Sequence, residues 1–331
     1  MRMNYFSVLF FTILFLLYSF ILSRDIKKDF HESFEVKSGD ILYLTHGDGN
    51  VIISSWNKDI VNIEIYFSAN IFGMGNDEYD FDVQFQQHGN EIEVIEKFKS
   101  NHRFGIRGIT IDRYEYQIKA PKYLLLNLNG DDGDVEIKDM AANIECRLSD
   151  GDLEITNTMA NFIKLNLEDG NLKMKDIEAE LDIKIDDGDI RITDYIGKTC
   201  TVDLEDGQLE MDRAKGNFDI NSDDGDIELR HITASKLSAS SNDGDIYVDI
   251  LESDAPDIEI KADDAKVIVD LNENISAKIE IETDDGSIST SISAPEYEKK
   301  KPSYYFGEIR GGKGRIHIRT NDGDVVLREV R

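Results

Sequence analysis

The stretch Leu181-Asp-Ile-Lys-Ile-Asp-Asp-Gly-Asp-Ile-Arg-Ile192 constrains the fold more than any other part of the chain. It is apolar alternation, an acidic glycine turn, and apolar alternation again. The same pattern recurs from Gly49 to Gly323. Regular copies fall at Gly133, Gly151, Gly170, Gly188, Gly207, Gly225 and Gly244, alternately 18 and 19 residues apart. The 42-residue step to Gly286 fits two longer copies, with Ala265 in the middle glycine slot. The 37-residue step on to Gly323 has the length of two copies but shows one later turn, so residues 294–315 read as an excursion. An isolated early copy is His46-Gly-Asp-Gly-Asn-Val-Ile-Ile53.

Apolar residues keep fixed offsets from each glycine. Around Gly188 they are Leu181, Ile183, Ile185, Ile190 and Ile192; around Gly207 they are Cys200, Val202, Leu204, Leu209 and Met211. Period-two alternation marks half-buried strands. Asp-Gly between such strands is also a hairpin signal, which would give an antiparallel meander. The constant period instead favours a parallel β-solenoid. Meander loops can vary in length, whereas stacked coils must hold their length to keep inward side chains in register. Ile185 is therefore expected to point inward and Lys184 outward.

The 331 residues carry 37 Lys plus Arg against 67 Asp plus Glu, a net charge of −30. That balance argues against nucleic acid and anionic membrane surfaces, which attract basic patches. Residues 1–23 read as a signal peptide or membrane anchor: a basic start, then an apolar run over 5–22. Either way the body is expected to be exported, with membrane contact only through 5–22 if that segment is retained. Residues 24–125 read as an irregular N-terminal β cap and 126–331 as the solenoid. Residues 70–80, with Gly73 and Gly75, read as a loop, and no helix beyond a turn or two is expected after residue 23. Two basic stretches stand out: residues 97–108, and the Lys- and Tyr-rich 295–313. The second reads as a surface flap or a contact for an anionic partner. Cys146 and Cys200 take inward slots three coils apart, roughly 14 Å at the usual strand spacing, too far for a disulfide.

The residue before each glycine is Asp. Stacking would align Asp150, Asp169, Asp187, Asp206, Asp224 and Asp243 in one row. Carboxylates about 4.8 Å apart repel, so the row needs an offset. Two remain open: each Asp accepts a turn N–H while water and monovalent ions screen the rest, or the row binds calcium as its metal. Other cofactors are not suggested. The six histidines lack ligand spacing, and no nucleophile elbow, phosphate loop or dinucleotide fingerprint occurs.

Several segments resemble the bacterial β-strand-repeat (Asp-Gly repeat) family of exported candidate adhesins. They are Phe34-x-Val36, Gly39-Asp-x-Leu42, Gly47-Asp-Gly leading to Trp56, Ile118-Lys-Ala-Pro121, and the serial Gly-Asp turns. The resemblance implies a right-handed all-β solenoid, on the cell surface or in the envelope, without catalytic residues. The expected role is a non-enzymatic adhesion or structural module for an envelope or extracellular protein or glycan. A membrane-anchored envelope accessory or signalling protein is the alternative, and a polysaccharide-acting β-helix enzyme comes third.

Overall fold

The computed structural model describes residues 22–75, 78–101, 105–253, 255–292 and 295–331; of the signal peptide or anchor expected over 1–23, residues 1–21 lie outside the described residues. Among the described residues there is no helix, and the repeat pairs as stacked coils require. Ile183 lies in parallel register between Leu165 of the copy before and Val202 of the copy after. The flanks of one turn do not pair with each other, so the meander is excluded. All five apolar residues around Gly188 are buried.

The N-terminal end is built from β1 (Leu22–Glu35), β2 (Ile41–His46), β3 (Asn50–Trp56), β4 (Ile60–Gly75), β5 (Glu78–His88), β6 (Glu91–Asn101), β7 (Gly105–Pro121), β8 (Leu125–Asp132) and β9 (Val135–Lys138). β2 lies parallel between β6 and β8, and β3 parallel between β7 and β9. The first coil of the chain is thus the second layer of the stack, with β6 and β7 above it. Antiparallel strands finish the end: β5 on β6, and β4 between β7 and β1. An aromatic cluster fills the space between. Phe67 stacks on Phe81 at 4.3 Å between centroids, and Tyr114 meets both edge-on at 5.2 Å. Such a plug shields a core whose last layer would otherwise face water. The glycine-rich part of the expected 70–80 loop is strand instead. β4 runs on to Gly75 because β7 pairs with it throughout, and β1 pairs with its other side as far as Gly73.

The regular body comprises β10 (Ile144–Asp150), β11 (Leu153–Asp169), β12 (Leu172–Asp187), β13 (Ile190–Asp206), β14 (Leu209–Ser222) and β15 (Ile227–Ser241). Strands β11 to β14 each form one side of the coil with their first half and another with their second. A register shift in the middle absorbs the 18/19 alternation, as between Met159 and Phe162 or between Glu178 and Leu181. Cys146 and Cys200 are free and buried, and burial pushes both thiols up to about 12.

At the C-terminal end lie β16 (Ile246–Glu252), β17 (Asp257–Ala262), β18 (Val267–Asn272), β19 (Ala277–Thr283), β20 (Ile288–Thr290), β21 (Tyr297–Lys301), β22 (Tyr304–Ile309), β23 (Gly314–Thr320) and β24 (Val325–Val330). Here serial stacking, the expectation from the period, fails. β23 inserts in parallel between β17 and β19, and β24 between β18 and β20. The last coil of the chain is the penultimate layer, mirroring the N-terminal arrangement. The detour that permits this is the 294–315 excursion. Its core is a hairpin, β21 and β22, which pairs antiparallel onto β19 and closes that face. Wholly buried Tyr305 plugs the last layer, while lysines 299 to 301 lie along the outermost strand and discourage edge-to-edge association.

Candidate functional site

With interior side chains consumed by packing, chemistry is confined to the corners and outward faces. The glycine corner comes in two forms. At Gly151, Gly170, Gly188 and Gly207 the backbone takes φ of 124 to 147°, and the inward slot three residues earlier holds Leu148, Leu167, Ile185 or Leu204. The parallel ladder runs on through the turn: Gly170 N–H donates to Asp187 O at 3.0 Å, and Gly188 N–H to Asp206 O at 3.1 Å. In the coils of Gly225, Gly244 and Gly286 the same inward slot holds a buried hydroxyl. Ser222, Ser241 and Thr283 accept the N–H of Gly225, Gly244 and Gly286 at 3.0, 3.0 and 2.9 Å.

The structure places Asp132, Asp150, Asp169, Asp187 and Asp206 in register along one exposed row, and Asp224 and Asp243 are exposed in the later turns. The expected acceptor role belongs to a different residue, the one after the glycine. Its side-chain oxygen takes the N–H of its counterpart one layer on. Asp134 accepts from Asp152 at 3.0 Å, Asp152 from Asn171 at 2.9 Å, Asn171 from Asp189 at 3.0 Å and Asp189 from Gln208 at 3.0 Å. Beyond Gln208 the pattern resumes, with Asp226 accepting from Asp245 and Asp245 from Lys266. A short side chain bearing an oxygen, at glycine plus one, was the available signal. It identifies these residues as splints between layers.

The row before the glycine is left electrostatically uncompensated. Partial desolvation, then the Asp169 and Asp206 carboxylates, raise the Asp187 carboxyl above its usual range. A raised native pKa means that ionised Asp187 opposes folding above that pKa, and the penalty fades as pH falls through it. Asp187→Asn is therefore expected to raise the melting temperature at neutral pH, with the gain shrinking on acidification. Among the described residues, no group of three or more His, Cys, Asp or Glu side chains forms a metal cage. Millimolar Ca²⁺ is expected to move the melting temperature no more than NaCl of equal ionic strength, since screening suffices for an exposed row.

A second corner escaped sequence reading. Asp139, Asn157, Asp176, Asp194, Arg213 and His231, each six residues after a turn glycine, take left-handed φ of 49 to 61°. Asn and Asp tolerate that conformation, so a polar residue at this fixed offset was the legible signal. Where Arg and His occupy it, contacts with neighbouring carboxylates hold them. Arg213 reaches both Asp194 oxygens at 2.7 and 3.0 Å, and His231 Nδ1 lies 2.7 Å from Asp212. Beyond this corner the coils form a rim on which Met159, Glu178, Ile196 and Lys215 stand in one column. Met159 and Ile196 are 59% and 57% exposed. They line an open groove of about 390 Å³ with Asp176, Glu178, Asp194 and Arg213. Tyr195 braces the rim from inside, with its O–H between Ala179 O and Thr199 O at 3.0 and 2.9 Å.

His46 does not serve as an exposed base. It fills the inward slot, 2% exposed, over the hollow left by Gly130. Its Nδ1 lies 3.0 Å from Gly47 O and so carries the proton, leaving Nε2 buried without a partner. Glu96 beside it accepts from Gly47 N–H and Tyr116 O–H, both at 2.7 Å. Burial lowers the His46 pKa, outweighing the Glu96 and Asp131 charges that favour protonation. A lowered native pKa means the unfolded chain binds the proton first. The His46 contribution is thus retained above about pH 6.5 and lost as pH falls toward the native value. His46→Asn is expected to flatten the acid limb of the stability–pH curve between pH 7 and 5, measured by urea melts.

Parallel coils splinted at one corner, with an open groove along another, define an all-β repeat protein. The Toastrack DUF4097 profile matches residues 50–219 and 213–328, and the chain belongs to that family. Among solved structures it is similar to a candidate adhesin from Parabacteroides distasonis ATCC 8503. That pair shares 11% identity over 92% of this chain and 97% of the other, with a TM-score of 0.42. A candidate lipid-binding protein from the same organism gives 11%, 92%, 97% and 0.40. A candidate adhesin from Bacteroides fragilis NCTC 9343 gives 13%, 91%, 97% and 0.36. No curated protein matches the chain.

Proposed function

We propose that the protein is a non-enzymatic, exported interaction module of the cell surface or envelope, with its coils wound right-handed. One observation carries the reading: the stack spends its apolar side chains on a continuous core, and its outward strand positions present rigid rows of polar and charged groups. Lys164 with Asp182, and Arg191 with Glu210, are examples of pairs joining neighbouring layers. Rows of this kind suit recognition of an extended protein or glycan, because the scaffold needs no ordering on binding. The candidate adhesins among the similar folds agree with it. The test is capture: immobilised full-length protein should retain envelope or extracellular-matrix components from a cell extract, and Ile185→Asp protein should not. Failure to retain any would overturn the reading.

The second reading, a membrane-anchored accessory, is favoured by the apolar run over 5–22. Among the described residues no helix is long and apolar enough to cross a membrane. Sequencing the mature N-terminus separates the two. Processing near Ser23 supports the released module, and an intact Met1 in the membrane fraction supports the accessory.

A further inference from the structure

We propose that the rim groove at Met159 and Ile196 is a docking site for an extended basic segment of a partner protein, in polyproline-type conformation. The inference deepens the interaction-module reading by giving it a site and a ligand chemistry. Met159 and Ile196 are the most exposed large apolar side chains among the described residues, and they share one groove. Glu178 lies between them in register, so the column reads apolar, acidic, apolar. Asp194 is committed to Arg213, whereas Asp176 and Glu178 are exposed and outside any ion pair among the described residues. On the neighbouring faces, by contrast, Asp182 and Glu210 are matched by cations. Lys215, next in the column after Ile196, ends the acidic site on that side.

Spacing selects the occupant. Met159 and Ile196 are two layers apart, about 9.6 Å at the usual strand separation. A β-strand repeats its side chains on one face every ~6.7 Å and would miss one of the two. A polyproline-type segment repeats every third residue, about 9.3 Å, and matches. Apolar residues at every third position would sit against Met159 and Ile196, with a Lys or Arg between them reaching Glu178 and Asp176. Such segments arrive already extended, which lowers the entropic cost of docking.

The probe is a fluorescein-labelled peptide of four Leu-Lys-Pro repeats, titrated with full-length protein and followed by anisotropy. Saturable binding that weakens with added salt is expected. The Met159→Ser/Ile196→Ser double variant should weaken it at least about tenfold, as should Glu178→Lys. Asp219→Lys makes the same charge change on an exposed strand position away from the groove and should leave binding unchanged. A Ser-Lys-Pro peptide should bind no better than the double variant binds the parent peptide. Absence of binding to the unaltered protein, full binding by the double variant, or equal losses from Glu178→Lys and Asp219→Lys would each overturn the proposal. The substituted side chains are exposed, and unchanged melting temperatures verify that the variants fold. Unaltered protein that captures envelope components but does not bind the peptide would overturn the groove assignment alone and leave the module reading standing.

Discussion

Ile185→Asp is expected to abolish cooperative unfolding, while Lys184→Asp leaves the melting temperature within a few degrees of the parent. Ile185 is fully buried in the column with Leu167 and Leu204. Its replacement removes roughly 1.5–3 kcal/mol of apolar burial. It also forces a carboxylate into a site without a donor, at a cost of several kcal/mol more. The sum rivals the roughly 5–15 kcal/mol that holds a typical domain together. Lys184 points the other way, exposed, with Asp186 at 2.7 Å and Glu205 at 3.9 Å. Exposed pairs of that kind are worth about 0–1 kcal/mol. Circular dichroism melts of the two variants make the comparison, and similar melting temperatures would contradict the inward placement.

Gly188→Ala is the second large effect, at roughly 2–4 kcal/mol, for a change of one methyl group. A Cβ there would lie 2.1 Å from Gly170 O and 2.8 Å from Gly170 C, with φ at +147°. The obstruction is backbone from the adjoining layer, so no rotamer relieves it. Gly89→Ala is the control. Its φ is also positive, at +65°, but nothing lies within 4 Å of a Cβ. Only the conformational strain of about 1–2 kcal/mol applies there. Urea melts of both variants, with m-values compared, test whether the loss is local to the stack. Equal losses would mean that contact between layers is not what demands glycine. Ala265 occupies the equivalent slot of a later coil, in a turn where φ is not positive.

The reasons some features were legible in the sequence and others were not are physical. The inward columns and the buried cysteines depend on local period, which every copy displays, whereas the stacking of the isolated Gly49 copy on the Gly133 coil spans a gap that the period does not bridge. Layer order does not depend on the period either. Because each coil presents the same inward offsets, any coil can cover any other, and nothing in the flanks of Gly286 or Gly323 says which comes last. The order is set by what must seal the ends: the aromatic cluster around Phe67 and Phe81, and the hairpin carrying Tyr305. The Asp row drew attention through its invariance, yet the hydrogen bonds went to the less regular residue after the glycine. Oxygen placement, which cannot be read from composition, decides between them. The left-handed corner at Asp176 and Asp194 went unread because it lies inside continuous strands rather than between them.

Enclosing the first and last coils as inner layers closes the stack of coils at both ends. A duplicated repeat appended at either terminus would meet antiparallel strands and a plug instead of an open edge. Growth by gene duplication is therefore confined to the interior, between Gly133 and Gly244, where one more coil meets identical neighbours above and below. Relatives of different size should differ there by whole multiples of the repeat and keep both ends intact.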